Sequence, residues 1–233
     1  MVAKRLMKIA VSVIIPTWNE EAGVVLAIER AWSAGADEVI VADGGSQDET
    51  CTLAGQSDCR LVTSPAGRAR QQNAGAMAAS GRVLLFQHAD NWLAAGAIDQ
   101  VREAIAGGAE CGAFCQRIEA AGLLYRLLEW GNGRRVAWRG SPYGDQSIFV
   151  ERTAFEAVGR FPEVPLLEDL LLMRQLRRRS RPRLLPGPLH VNARRWQKYG
   201  VLRQTLRNWR LLAAHRWGAS PDQLASAYPR HDQ

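Results

Sequence analysis

The sequence predicts an α/β fold, a doubly wound mixed sheet followed by a C-terminal amphipathic helical extension. Three observations predict it. Short β-branched runs alternate with helical stretches between residues 9 and 106. A polar cluster follows three of those runs: Thr17–Glu20, Asp43–Ser46 and His88–Asp90. Beyond residue 200, apolar and basic residues recur at helical spacing. Alternating strands and helices imply parallel strands covered on both faces, and ligands in such sheets bind at the carboxyl ends of the strands.

Ile9–Ile15 is nearly all apolar and reads as a buried parallel strand. A helix from about residue 21 to residue 34 follows. Glu38–Ala42 is a second strand, Asp43-Gly44-Gly45-Ser46 a turn, and a short helix starts near Asp48. Arg60–Thr63 is a short third strand, and Gly67–Ala79 is Ala-rich and helical. Arg82–Gln87 is a fourth strand, and a helix from about residue 94 to residue 106 follows it. Then the pattern loosens. Cys111–Ile118 reads as a strand and Gly122–Trp130 as a helix. Gly131–Gly144 reads as a Gly/Arg-rich loop and Gln146–Val150 as a strand. Thr153–Val158 and Leu166–Arg178 read as helices. With no repeat or low-complexity linker, the expectation is one domain over residues 1–200, with residues 201–233 as a helical extension packed on it.

At 233 residues the chain can bury a full core without disulfide or metal staples. Its 47% hydrophobic and 23% charged content excludes a disordered, collagen-like or coiled-coil chain. The net charge of +7 is unevenly placed: residues 174–221 hold 13 Lys and Arg and no Asp or Glu, whereas residues 1–169 sum to −5. That pattern points to a local anion or membrane-surface contact rather than a uniformly basic nucleic-acid protein. Lys4, Arg5 and Lys8 before an apolar run imitate a signal peptide, but Pro16 ends the run and no small-residue cleavage site follows. No stretch reaches the ~18 apolar residues of a transmembrane helix. Cys51, Cys59, Cys111 and Cys115 form no CxxC pair, and buried reduced thiols of a cytoplasmic protein are favoured over a zinc site.

The polar clusters carry a resemblance. Ser12–Glu20 (SVIIPTWNE) resembles the opening motif of family 2 glycosyltransferases of the GT-A fold, and Val39–Thr50 (VIVADGGSQDET) their second-strand motif. Gly67–Gly75 (GRARQQNAG) looks like their nucleotide-side helix, and Leu84–Asp90 (LLFQHAD) sits where the family has Asp-x-Asp. Glu168-Asp169 matches the acidic pair before the acceptor-side helix, and Asn192–Trp196 (NARRW) is similar to the family's Q/R-x-x-R-W element. The six motifs keep their order over residues 9–200.

The resemblance implies an inverting transfer from a UDP- or GDP-type sugar donor to a hydroxyl acceptor, and the basic helix beyond residue 200, on its membrane reading, would bring the site to a lipid-linked one. The resemblance assigns donor contacts to Thr17, Asn19, Glu20, Asp43, Gly44, Arg68, Asn73 and Ala89. Asp90 becomes the ligand for Mn²⁺ or Mg²⁺, which suit oxygen donors and neutralise a departing diphosphate. His88 replaces the family's first Asp, so it is either a ligand or a sugar contact, and His190 is a further candidate ligand. Asp169 is the general base, taking the acceptor's proton, with Glu168 in support. Asp145, Gln146, Arg194, Arg195 and Trp196 are acceptor or phosphate contacts. Arg134, Arg135 and Arg139 bind an acidic acceptor, form a lid or are solvated.

Arg203, Arg207 and Arg210 lie on one helix face beside Leu202, Leu206, Trp209 and Ala213. That helix rests on an anionic membrane from the cytoplasmic side, packs on the domain, or joins two copies. Other function classes are a sugar-nucleotide-binding domain without turnover, and a nucleotidyltransferase, whose Gly-rich phosphate loop after the first strand is missing. A nucleic-acid binder is disfavoured because no helix-turn-helix or finger signature is present.

Overall fold

The computed structural model describes residues 9–227. Lys4, Arg5 and Lys8, the last residues of the extension (228–233) and the side chains of Arg195 and Ala227 lie outside that description. The first half alternates β1 (Val11–Thr17), α1 (Val24–Ser33), β2 (Glu38–Asp43), α2 (Thr50–Gly55), β3 (Arg60–Thr63), α3 (Arg68–Ala78), β4 (Val83–Phe86), β5 (Asn91–Leu93) and α4 (Ala97–Ala106). The second half runs β6 (Cys111–Ile118), α5 (Leu123–Arg139), a 3₁₀ turn (Gly144–Gln146), β7 (Phe149–Glu151), α6 (Arg152–Ala157) and α7 (Glu168–Arg179). It ends with β8 (Arg183–Val191), α8 (Arg194–Tyr199), α9 (Val201–Arg216) and α10 (Pro221–Ala227).

All eight strands form one sheet in the order β3-β2-β1-β4-β7-β6-β8-β5. β3, β2, β1 and β4 are mutually parallel, β7 runs antiparallel between β4 and β6, and β8 is parallel to β6. The expected doubly wound mixed sheet is thus present. Strand alternation explains how both faces are covered. Val11, Val13 and Ile15 join α1 and α4 in one core, whereas Ile14 joins α3, α6 and α7 in the other. α3 comes close because Gly75 has no side chain: a Cβ there would overlap the Ile14 side chain.

Three expectations change. Residues 131–139 are not a loop: α5 continues through them to Arg139. Two strands went unread, β5 and β8. The strand expected from Gln146 begins only at Phe149, because residues 144–146 close into the 3₁₀ turn. In the extension, α9 buries only Gln204, and Leu202, Leu206 and Trp209 are 65%, 50% and 65% exposed. Among the described residues no helix is long and apolar enough to cross a membrane.

Candidate active site at the carboxyl edge of the sheet

Parallel pairing brings the ends of β1 and β2 together, with Thr17 opposite Asp43. Asp43 is buried. Its Oδ1 accepts the Gly45 and Ser46 N–H groups at 2.8 and 2.9 Å, and its Oδ2 accepts the hydroxyls of Ser46 and Thr17. Burial pushes this carboxyl up, but the bonds from Ser46 and Gly45 outweigh it and hold the group below the usual carboxylate range. Burial, together with a bond to that carboxylate, pushes the neighbouring Cys51 thiol up to about 11, so Cys51 is a neutral donor. Asn19, at φ 53°, latches the two turns: its N–H donates to Ser46 Oγ at 2.8 Å and its Oδ1 accepts Gln47 N–H at 2.9 Å. Glu20 N–H donates to Thr50 Oγ1 at 2.8 Å, and its carbonyl accepts from Gly23 and Val24 at the start of α1.

Gln71, which no motif reading singled out, ties these ends to α3. Its buried amide donates to the carbonyls of Thr17 and Ala42. The signal was its place three residues after Arg68, on the same helix face. Gly44 makes room for it, since a Cβ there would lie 2.9 Å from the Gln71 amide carbon. Asn73, expected among the donor contacts, has both ends of its amide bonded to the Phe161 backbone, at 2.9 and 3.1 Å. It therefore ties α3 to the segment before α7.

The acidic pair arrives from the other half of the chain. Glu168 and Asp169 open α7, where the helix dipole favours carboxylates. Glu168 is buried, and its Oε1 lies 3.6 Å from Arg68 Nη1 at the start of α3. Asp169 Oδ2 accepts the Gly144 N–H, and Oδ1 accepts Leu170 N–H at 2.7 Å. Gly144 also adjoins His88: a Cβ built on Gly144 would sit 3.2 Å from Asp169 Oδ2 and 3.4 Å from His88 Nε2. The end of β4, the 3₁₀ turn and the start of α7 thus meet around one glycine.

That turn is braced from behind. The Asp145 carbonyl accepts from Gln116 Nε2 at 2.9 Å and from Asn91 Nδ2 at 3.5 Å. Gln146, expected as an acceptor contact, is fully buried: its Oε1 accepts Arg135 Nη2 at 2.6 Å, and its Nε2 reaches the Phe114 carbonyl. Arg135 also stacks 3.5 Å from the Tyr143 ring centroid, so it is a brace rather than a lid residue.

Asp90 precedes β5, whose Asn91 pairs with Val191 of β8. Asn192 follows β8, and its Oδ1 accepts the Arg194 N–H at 2.9 Å. Arg194 is exposed, while Trp196 packs partly buried against the main core, as does Ala89. The expected grouping of His88, Asp90 and His190 as metal ligands is not found, because no group of three or more His, Cys, Asp or Glu able to hold a metal occurs among the described residues. His190 instead stacks on Trp92, its partner across β8–β5, and its Nδ1 lies 2.7 Å from Glu119 Oε1.

A search of curated proteins finds no match. Solved structures superpose over most of the chain. TarS of S. aureus is similar at 17% identity and TM-score 0.62, covering 84% of this chain; this chain spans only 38% of that one. A glucosyl-3-phosphoglycerate synthase of Mycobacterium tuberculosis, crystallised with Mn²⁺, UDP and glucosyl-3-phosphoglycerate, is similar at 19% identity and TM-score 0.61, over 81% of this chain and 72% of that one. A mannosyltransferase of Pyrobaculum calidifontis, crystallised with GDP-Man and Mn²⁺, is similar at 17% identity and TM-score 0.59, over 81% and 62%. These likenesses establish the GT-A fold. The sequence model of glycosyl transferase family 2 matches residues 12–149, well over half of the chain, and this protein belongs to that family.

Proposed function

We propose that the chain is an inverting glycosyltransferase that moves a sugar from a UDP- or GDP-type donor to a hydroxyl acceptor. The observation that carries the reading is the meeting of Arg68, His88, Gly144, Glu168 and Asp169 at the carboxyl edge. The nucleotide belongs against Thr17, Asn19, Glu20 and the Asp43–Ser46 turn, where Asp43 acts by holding the turn. Arg68 has a partner in Glu168 and is still 40% exposed, so it can face the diphosphate. Asp169 is the general base. Gly144 and Leu170 fix both of its oxygens by single bonds, which leaves lone pairs to take the acceptor's proton. Glu168 keeps Arg68 and the first turn of α7 in register.

The synthase and the mannosyltransferase named above are crystallised with Mn²⁺, and the donor set here suits a divalent ion held in the open manner. Mg²⁺ and similar ions are bound by one or two carboxylates plus substrate phosphates rather than by a protein cage. Asp90 is the oxygen ligand that this mode requires, with His88 beside it, and the ion would neutralise charge on the leaving diphosphate.

The exposed Leu202–Leu206–Trp209 stripe of α9, beside Arg203 and Arg210, supports the membrane-surface contact expected from the sequence.

A thermal-shift series with UDP, GDP and their sugars, each with and without Mn²⁺, tests the donor assignment. A cognate nucleotide at ~100 times its Kd raises the melting temperature by roughly 5–10 °C. Arg68→Ala should weaken that response. No shift with any nucleotide would remove the reading.

A further inference from the structure

Helix α5 is built inside out. Its polar residues Arg126, Glu129, Asn132 and Arg135 recur every third position and face the protein. Arg126 donates to the Ile118 carbonyl at 2.7 Å and pairs with Glu129, whose carboxylate accepts Ile118 N–H. Asn132 donates to Gln116 at 2.7 Å, and Arg135 to Gln146 at 2.6 Å. Of its 17 residues only Val136 is buried. The opposite face reads Leu123, Leu127, Trp130, Arg134, Trp138, at positions i, i+4, i+7, i+11 and i+15. Its four apolar members are 74%, 53%, 61% and 69% exposed. The Arg134 guanidinium lies 4.6 and 4.0 Å from the ring centroids of Trp130 and Trp138.

A water-facing helix normally shows the reverse pattern. A contiguous exposed apolar face marks a contact with protein or membrane, and charge decides between them here. The helix's one acid, Glu129, is turned inward, so the outer face is apolar and cationic, with Arg134 exposed on it. A twofold pairing of two copies would bring two Arg134 cations into one apolar interface with no acid to pair them, which is unfavourable. An anionic bilayer complements both properties, and Trp and Arg are at home at the headgroup level.

We propose that the outer face of α5 lies on an anionic lipid bilayer, in addition to any contact made by α9. α5 runs into the Gly140–Gly144 segment, whose Gly144 N–H is bonded to Asp169, so the docked helix is joined by a short stretch of chain to the carboxyl edge. The inference stands apart from the transferase reading, because lipid binding is measured without donor or turnover.

The test is flotation of the full chain with phosphatidylcholine vesicles, alone or with about 30% phosphatidylglycerol. Wild type is expected to float with the anionic vesicles only. Trp130→Ser/Trp138→Ser should lower the bound fraction about tenfold with an unchanged melting temperature, since both side chains are exposed. Leu206→Ser/Trp209→Ser reports the α9 contact separately. Equal flotation of wild type and the α5 variant would overturn the inference, as would no flotation of wild type. So would a dimer in light scattering that the α5 variant abolishes.

Discussion

Asp43 is the residue on which the donor side turns, and its charge is set by its neighbours. Burial alone would favour the neutral form, yet bonds from Ser46 and Gly45 keep it ionised below the usual carboxylate range. The sign follows from that depression. The carboxylate stabilises the fold at every pH above the ordinary Asp range, and the contribution is lost as pH falls through that range toward the folded value. Asp43→Asn should therefore lower stability near pH 7 by about 1–3 kcal/mol, because an amide cannot accept all four bonds. Urea melts near pH 7 and near pH 3.5 should show the variant's deficit shrinking, because at the lower pH the unfolded wild-type chain takes up a proton at Asp43 that the folded one still resists. An equal deficit at both would contradict this role. The motifs made Asp43 and the acidic pair readable from sequence. They did not reveal that Asp43, Asn73 and Gln146 spend their polar atoms inside the protein. Asn73 bonds to Phe161 and Gln146 to Phe114, residues far from them in the chain, and no local pattern encodes such partners.

At the scale of elements, β8 explains what the sequence concealed. Its Pro186-Gly187-Pro188 argues against a strand, since proline cannot donate to a ladder. The structure accommodates these residues at the register shift between Phe114 and Gln116 of β6. There Gln100 of α4 stands in for a missing strand neighbour, donating to the Gly187 carbonyl at 3.0 Å and accepting its N–H at 2.9 Å. Gln100→Ala should cost about 1–3 kcal/mol by leaving both Gly187 groups unsatisfied. Chemical denaturation that shows no change would mean that water replaces the amide. β5 was unreadable for a different reason: three residues give no periodicity. α5 was cut short because Gly131 and Gly133 signal a loop, whereas contacts from Asn132 and Arg135 hold the helix through them. By contrast β1, β2 and β4 are predominantly apolar because they are buried on both faces, and the sequence alone identifies them.

For the whole molecule, the charge division has a spatial meaning. The carboxylates Asp43, Asp90, Glu168 and Asp169 come from the acidic first 169 residues, and Glu168 among them lies beside Arg68. The basic segment starts five residues later with Arg174 and ends in α9, whose apolar stripe is exposed. One edge thus offers cations and carboxylates for a sugar diphosphate, while the outer faces of α5 and α9 offer tryptophan, leucine and arginine. The central claim is that Asp169 performs transfer chemistry at that edge. Its most direct test is release of free nucleoside diphosphate from UDP- and GDP-sugars with Mn²⁺, by wild type and by Asp169→Asn. Wild type should turn over, and the variant should fall by about 10²–10⁴-fold while keeping its nucleotide-induced thermal shift. Equal release by the two proteins, or nucleotide binding with no release by wild type, would contradict it.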